Sequence, residues 1–138
     1  MPAHLFVYGT LLKKLNLPCY RYIQKVADFV GEAKTHGVLW DLGNYPGLQV
    51  DATAGAVMGE LFKLKEPLDW HELDAYEDFH PNDLAGSLYL RIETQVLLAN
   101  DKPQRAWVYH YQGPMHFAKV IEHGDYALHR QTLRFPRR

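Results

Sequence analysis

The sequence predicts an α+β fold built on a curved, mixed, barrel-like sheet, and three observations carry that expectation. Strand-like segments dominate the chain. A single well-formed helical pattern falls between the fourth and fifth of them. No strand–helix–strand rhythm runs along the sequence, which argues against a doubly wound sheet.

The first element is LFVYGTLL, residues 5–12, an apolar run that stops at Tyr8-Gly9-Thr10. A strand ending there leaves backbone N–H groups in a tight turn. Because Gly9 has no Cβ, a small charged group can come close, so the turn is either a cradle for a carboxylate or phosphate or only a strand end. Pro18 interrupts the next stretch, which reads as a loop followed by a short helix from about Cys19. Residues 27–42, ADFVGEAKTHGVLWDL, read as two strands or one strongly bent strand, with Gly31 and Gly37 as candidate bulges. Tyr45-Pro46-Gly47 makes a rigid loop before another short strand. Residues 54–64 suit a central strand in which Gly55 and Gly59 leave room for a bulky neighbour or a ligand.

The helical pattern is PLDWHELDAYEDF, residues 67–79. Pro67 suits its first position, Asp69 its first turn, and Pro81 lies beyond its end. At about 100° per residue, Trp70, Leu73 and Glu77 share a stripe while Asp74 and Asp78 point elsewhere. Beyond a polar connector, residues 88–98 and 104–112 alternate as two strands and turn at Asn100-Asp101, which makes a hairpin. The His- and Arg-rich tail from Gly113 onward is expected to wrap the domain irregularly.

The 138 residues suit a single domain spanning residues 1–138. A net charge of −1 argues against nucleic acid as a partner, and no apolar run approaches the roughly 20 residues that cross a bilayer. One cysteine, Cys19, cannot form an internal disulfide, and the start MPAHLFVYG does not read as a signal peptide. A reducing, cytoplasmic setting is therefore expected. The residue inventory also removes several chemistries. Ser87, the single serine, sits in AGSLY and not in a nucleophile elbow. His71-Glu72 lacks the second histidine of a zinc protease helix, since position 75 is alanine. The eight histidines have no tight ligand spacing, and no nucleotide-binding glycine pattern is present, so neither a metal nor a cofactor is expected. Arg130, Arg134, Arg137 and Arg138 make a basic tail without a recognition motif beside it.

Glu77 remains. A carboxylate on an apolar stripe near a helix C-terminus loses solvation and meets the negative end of the helix dipole, and both raise its pKa. It is a candidate proton carrier, or else the partner of a basic side chain at the helix end.

Taken together, these stretches resemble the gamma-glutamylcyclotransferase-like family, also described as AIG2-like. The matching residues occur in family order: Val7-Tyr8-Gly9-Thr10-Leu11, Tyr45-Pro46-Gly47, Val57-Met58-Gly59-Glu60-Leu61-Phe62, Leu73-Asp74-Ala75-Tyr76-Glu77, Leu88-Tyr89-Leu90-Arg91, Ala106-Trp107-Val108-Tyr109 and Gly124-Asp125-Tyr126. The pairing of YGTL with LDxYE ahead of an LYxR strand is the specific part. Glu77 is followed by Asp78, where many members have glycine.

The resemblance implies a small mixed β-barrel with short flanking helices, and a pocket between the YGTL turn and the glutamate. It implies a γ-glutamyl substrate whose α-amine attacks its own side-chain carbonyl, releasing an amine or amino acid and 5-oxoproline, as in glutathione metabolism. Glu77 would move the protons. The N–H groups of Gly9, Thr10 and Leu11 would hold the substrate carboxylate, with the Tyr8 ring as a wall. Tyr89 and Tyr109 would join the pocket or else belong to the core. No metal, nucleotide or covalent intermediate is implied. The competing readings are a module that binds a small carboxylate in the same pocket without turnover, and an interaction protein working through the basic tail.

Overall fold

The computed structural model describes residues 2–66 and 68–134. Seven strands and three α-helices follow one another as β1 (His4–Val7), α1 (Tyr20–Val26), β2 (Ala27–Asp41), β3 (Pro46–Val50), β4 (Ala56–Leu64), α2 (His71–Tyr76), β5 (Tyr89–Leu98), β6 (Pro103–Tyr111), β7 (Lys119–Val120) and α3 (Tyr126–Arg134). A 3-10 turn covers Lys13–Leu15.

Five strands close a barrel in the order β1-β4-β2-β3-β6, with β6 returning to β1. The β1–β4, β4–β2 and β2–β3 pairings are antiparallel. The β3–β6 and β6–β1 contacts are parallel, at Leu48↔His110 and Leu5↔Trp107. This is the curved, mixed barrel expected from the dominance of strands, with the short flanking helices that the resemblance implies. Closure removes the free edges that an open sheet of this size would expose.

One strand accounts for residues 27–41, bent where its register against β4 shifts between Phe29 and Gly31. This long strand serves β4 and β3 along its length, and Ala33 and Lys34 also pair with Leu98 and Leu97 of β5. The predicted hairpin forms as β5–β6, running from Tyr89↔Tyr111 to Leu97↔Pro103, with Asp101 at φ 63° in its turn.

Strands β1, β4 and β6 bury side chains on both faces, and each face meets a different layer. Phe6, Tyr8, Leu39, Leu48, Val57, Leu61, Val96 and Val108 form one buried cluster with Tyr126 of α3. Leu5, Val7, Leu11, Leu12, Phe62, Tyr89, Tyr109 and Tyr111 form the other, against Tyr20 and Ile23 of α1 and Leu73 of α2. Gly59 lets β1 approach β4 closely. A Cβ there would collide with the Val7 carbonyl oxygen and stand 2.5 Å from the Phe6 ring, so a bulky neighbour fills its room.

Two expectations need correction. The helix predicted over 67–79 is only His71–Tyr76. At its start the Asp69 carboxylate accepts the His71 N–H at 2.9 Å. At its end the Asp78 N–H bonds to the Ala75 carbonyl at 3.1 Å and the Phe79 N–H to the Asp74 carbonyl at 2.8 Å. With Asp78 at φ 54°, this is a Schellman ending, and it makes Glu77 the C-cap. Asp78 thus occupies the left-handed position that glycine most readily fills. Pro67 lies outside the described residues.

The tail is likewise not irregular throughout. β7 pairs with Trp40 and Asp41, and α3 packs Tyr126 and Ala127 into the core. The Asp125 carboxylate caps α3 by accepting the Leu128 N–H at 3.1 Å, a signal visible as Gly124-Asp125 ahead of the apolar-periodic stretch. His129 joins Asp41 at the end of β2 at 2.7 Å. Residues 135–138 of the basic tail lie outside the described residues. Among the described residues no helix is long and apolar enough to cross a membrane.

Candidate active site

A cavity of about 370 Å³ opens where the ends of β1, β3, β5 and β6 meet the C-terminus of α2. The structure brings all seven candidate residues to its wall: Tyr8, Gly9, Thr10 and Leu11 from the end of β1, Glu77 from α2, Tyr89 from β5 and Tyr109 from β6. Phe6, Val7, Asn44, Tyr45, Pro46, Tyr76, Asp78 and Leu88 complete it. These were missed as site residues. Tyr45-Pro46 and Leu88 do sit in motifs visible in the sequence, but only barrel closure carries the β2–β3 loop over the end of β1.

The turn after β1 is fixed by an N–H bond from Leu12 to the Gly9 carbonyl at 3.0 Å. Among the described residues, the N–H groups of Gly9, Thr10 and Leu11 donate to no carbonyl or side chain. These are donors held at a cavity wall with unsatisfied capacity, the arrangement that favours an anion. The missing Cβ of Gly9 has a different use from the one expected. A Cβ there would lie 2.5 Å from Pro46 Cγ, so glycine admits the proline ring at the start of β3, not the ligand.

The three tyrosines present rings to the cavity and spend their hydroxyls on the frame. Tyr8 donates to the Tyr109 carbonyl at 2.7 Å and accepts the Leu48 N–H at 3.3 Å. Tyr89 donates to the Pro46 carbonyl at 2.6 Å, and Tyr109 donates to Asp74 Oδ1 at 2.7 Å. Burial raises the pKa of all three, so they stay neutral.

Two carboxylates of α2 face inward, and they differ in company. Asp74, which the helical wheel points away from the stripe, is 5% exposed. It lies at the stripe's edge one turn after Trp70, where strands β5 and β6 supply partners. Arg91 meets it with a two-pronged contact, Nε to Oδ1 at 3.1 Å and Nη2 to Oδ2 at 3.4 Å. The guanidinium lies 4.0 Å from the centre of the Trp70 ring and 5.0 Å from that of Trp107. This is a paired, structural charge.

Glu77 has no such company. Among the described residues nothing hydrogen-bonds its carboxyl or pairs with it, which removes the reading of Glu77 as the partner of a basic side chain. It keeps some accessible surface, as a group lining an open cavity does, yet is surrounded by protein. Desolvation alone pushes its pKa up from 4.5 to about 8. The cavity therefore combines a row of free amides, aromatic walls and one carboxyl group that titrates near neutral pH.

A small closed barrel whose end pocket is lined by an unpaired acid and by backbone amides without an acceptor among the described residues defines a class of small-molecule pocket proteins. This chain belongs to the Gamma-glutamyl cyclotransferase, AIG2-like family, whose profile matches residues 5–128. Among solved structures it is similar to an AIG2-like protein of Mus musculus, at 25% identity and a TM-score of 0.69, over 90% of this chain and 87% of that one. It also matches YkqA of Bacillus subtilis, at 24% identity and a TM-score of 0.73, over 99% of this chain. The chain spans only 44% of YkqA's length. A structure described as a gamma-glutamyl cyclotransferase shares the fold at 17% identity and a TM-score of 0.58, over 85% of this chain and 68% of that one. A search of curated protein sequences gave no match.

Proposed function

We propose that this protein cyclises a γ-glutamyl amide by intramolecular aminolysis, releasing 5-oxoproline and an amine or amino acid, with Glu77 as the general acid and base. The observation that carries the reading is the unpaired, desolvated Glu77 in the same cavity as the free Gly9–Leu11 amides.

In this reading the amides hold the substrate α-carboxylate and the rings of Tyr8, Tyr89 and Tyr109 wall the γ-glutamyl chain. The substrate's α-ammonium is then set near Glu77. A cation beside the carboxyl lowers its raised pKa, so the ionised form accepts a proton from the ammonium. The freed amine attacks the γ-carbonyl carbon. One C–N bond closes the five-membered ring and the amide C–N bond breaks. The proton held by Glu77 passes to the departing nitrogen, and the regenerated carboxylate takes the second proton that the ring nitrogen sheds on becoming the lactam and delivers it to the released amine, which leaves as an ammonium. Nucleophile and electrophile belong to one molecule, so holding the substrate folded accounts for much of the rate. A group with a pKa near the working pH suits both proton transfers.

The test is 5-oxoproline release from purified protein given glutathione, γ-glutamyl amino acids and Nε-γ-glutamyl-lysine. Activity with at least one, lost in a folded Glu77→Gln variant, is the expected result. No product from any of them, or an unaffected variant, overturns the reading. Thermal stabilisation without turnover indicates a binding module instead.

A further inference from the structure

Glu60 is a buried carboxylate with no part in the proton transfers described above. It sits in the middle of β4, 2% exposed, in the stretch Val57-Met58-Gly59-Glu60-Leu61-Phe62. In the sheet it lies opposite Val7 of β1 and Glu32 of β2. Two like charges opposite each other disfavour the pairing, and a buried carboxylate is costly wherever it stands. An apolar residue would pack this position without either penalty.

The compensation lies in the segment that follows the cradle. Glu60 Oε1 accepts the Lys13 N–H at 2.6 Å and Oε2 accepts the Lys14 N–H at 3.3 Å. These are the first two amides of the 3-10 turn, which have no acceptor within the turn itself. The Lys14 ammonium meanwhile pairs with Glu32 at 2.7 Å, so one residue answers both facing carboxylates. Leu11 and Leu12, immediately before, are buried. From Gly9 the chain therefore runs through one turn, two buried leucines and two amides clamped on a carboxylate.

We infer that Glu60 is a positioning residue for the substrate cradle: its carboxylate clamps the Lys13 and Lys14 amides and so fixes the preceding turn, whose Gly9, Thr10 and Leu11 line the cavity. This rests on the proposed function for what the cradle holds. Free amides stabilise an anion most when their direction is set beforehand, because no reorganisation is then needed on binding. Glutamine cannot replace the clamp fully. Its carbonyl accepts one amide, while its NH₂ group meets the other donor to donor.

The test compares wild type with Glu60→Gln, and with Glu60→Asp should the first variant fail to fold. The substrate is whichever of γ-glutamyl-alanine, Nε-γ-glutamyl-lysine and glutathione the wild type turns over best, and amide hydrogen exchange is followed in parallel. The expected result is a KM raised on the order of tenfold, the loss of about one charge-assisted hydrogen bond's worth of ordering. The kcat and its pH profile are kept. Exchange accelerates at Leu12, Lys13 and Lys14 but not across β2 and β4. An unchanged KM, a fall in kcat at constant KM, unchanged exchange at these three amides, or faster exchange throughout the sheet each overturns the inference. Should the wild type turn over none of the three compounds, the proposed function falls, and the exchange pattern alone decides whether Glu60 holds the turn.

Discussion

The Tyr109 hydroxyl donates to Asp74 at 2.7 Å, tying the cavity wall of β6 to the residue three positions before Glu77 in α2. Asp74 in turn is gripped by Arg91, itself stacked on Trp70. The helix that presents Glu77 is thus anchored to the barrel by a buried charge pair.

Cutting that anchor should be expensive. Arg91→Leu leaves the Asp74 carboxylate buried without its cation, and the expected loss is about 3–5 kcal/mol of folding stability. Urea unfolding at pH 7 measures it. A loss below about 1 kcal/mol, the range of an exposed pair, shows that the contact is not a structural anchor.

Stability should carry the signature of Glu77. Its folded-state pKa, about 8, lies above the ordinary 4.5, so between these values the native state binds more protons than the unfolded chain. Stability attributable to this group is highest at low pH and falls as pH rises from about 4.5 to about 8. The slope should approach about 1 kcal/mol per pH unit relative to Glu77→Gln, which has nothing to ionise there. Urea midpoints for both proteins at pH 5, 6.5 and 8 give the difference, and parallel lines contradict it.

Under the proposed function the same group sets the rate. Because the ionised carboxylate is the form that takes the ammonium proton, kcat/KM should rise with pH through a midpoint near pH 8, the free-enzyme value, and level off about one unit above it. The 5-oxoproline assay over pH 6–9 tests this. A flat profile across that range removes Glu77 as the base.

Gly9 should tolerate no side chain. In Gly9→Ala the new methyl meets Pro46 Cγ at 2.5 Å, so the turn or the proline must move. A cost of about 1–3 kcal/mol is expected, as for overpacking elsewhere. Adding Pro46→Ala removes the clashing atoms, so the two changes together should cost less than their sum. Thermal unfolding of the two single variants and the double variant measures this, and simple additivity refutes the contact.

Much of this was legible beforehand. The Tyr8-Gly9-Thr10 turn, the β5–β6 hairpin and the inward direction of Glu77 follow from alternation, turn residues and the helical wheel, all of which act within a few residues. The length of α2 was not, because its end is set by Asp78 adopting a left-handed conformation against the preference of its own side chain. Nor was α3, whose Asp125 cap was present but overshadowed by the histidines and arginines around it.

What the sequence by itself determined is local: which runs extend, where they turn, and that one glutamate lies on the apolar stripe of a short helix. Only the tertiary structure decided that Asp74 is also inward but neutralised by Arg91 and Tyr109, while Glu77 is left alone to be desolvated. It also decided that Gly9 makes room for Pro46 and that Glu60 clamps the segment after the turn. The physical reason is distance along the chain. Backbone geometry fixes periodicity between near neighbours, whereas a carboxylate's charge state depends on who stands beside it, and those partners arrive from strands many residues away once the barrel closes.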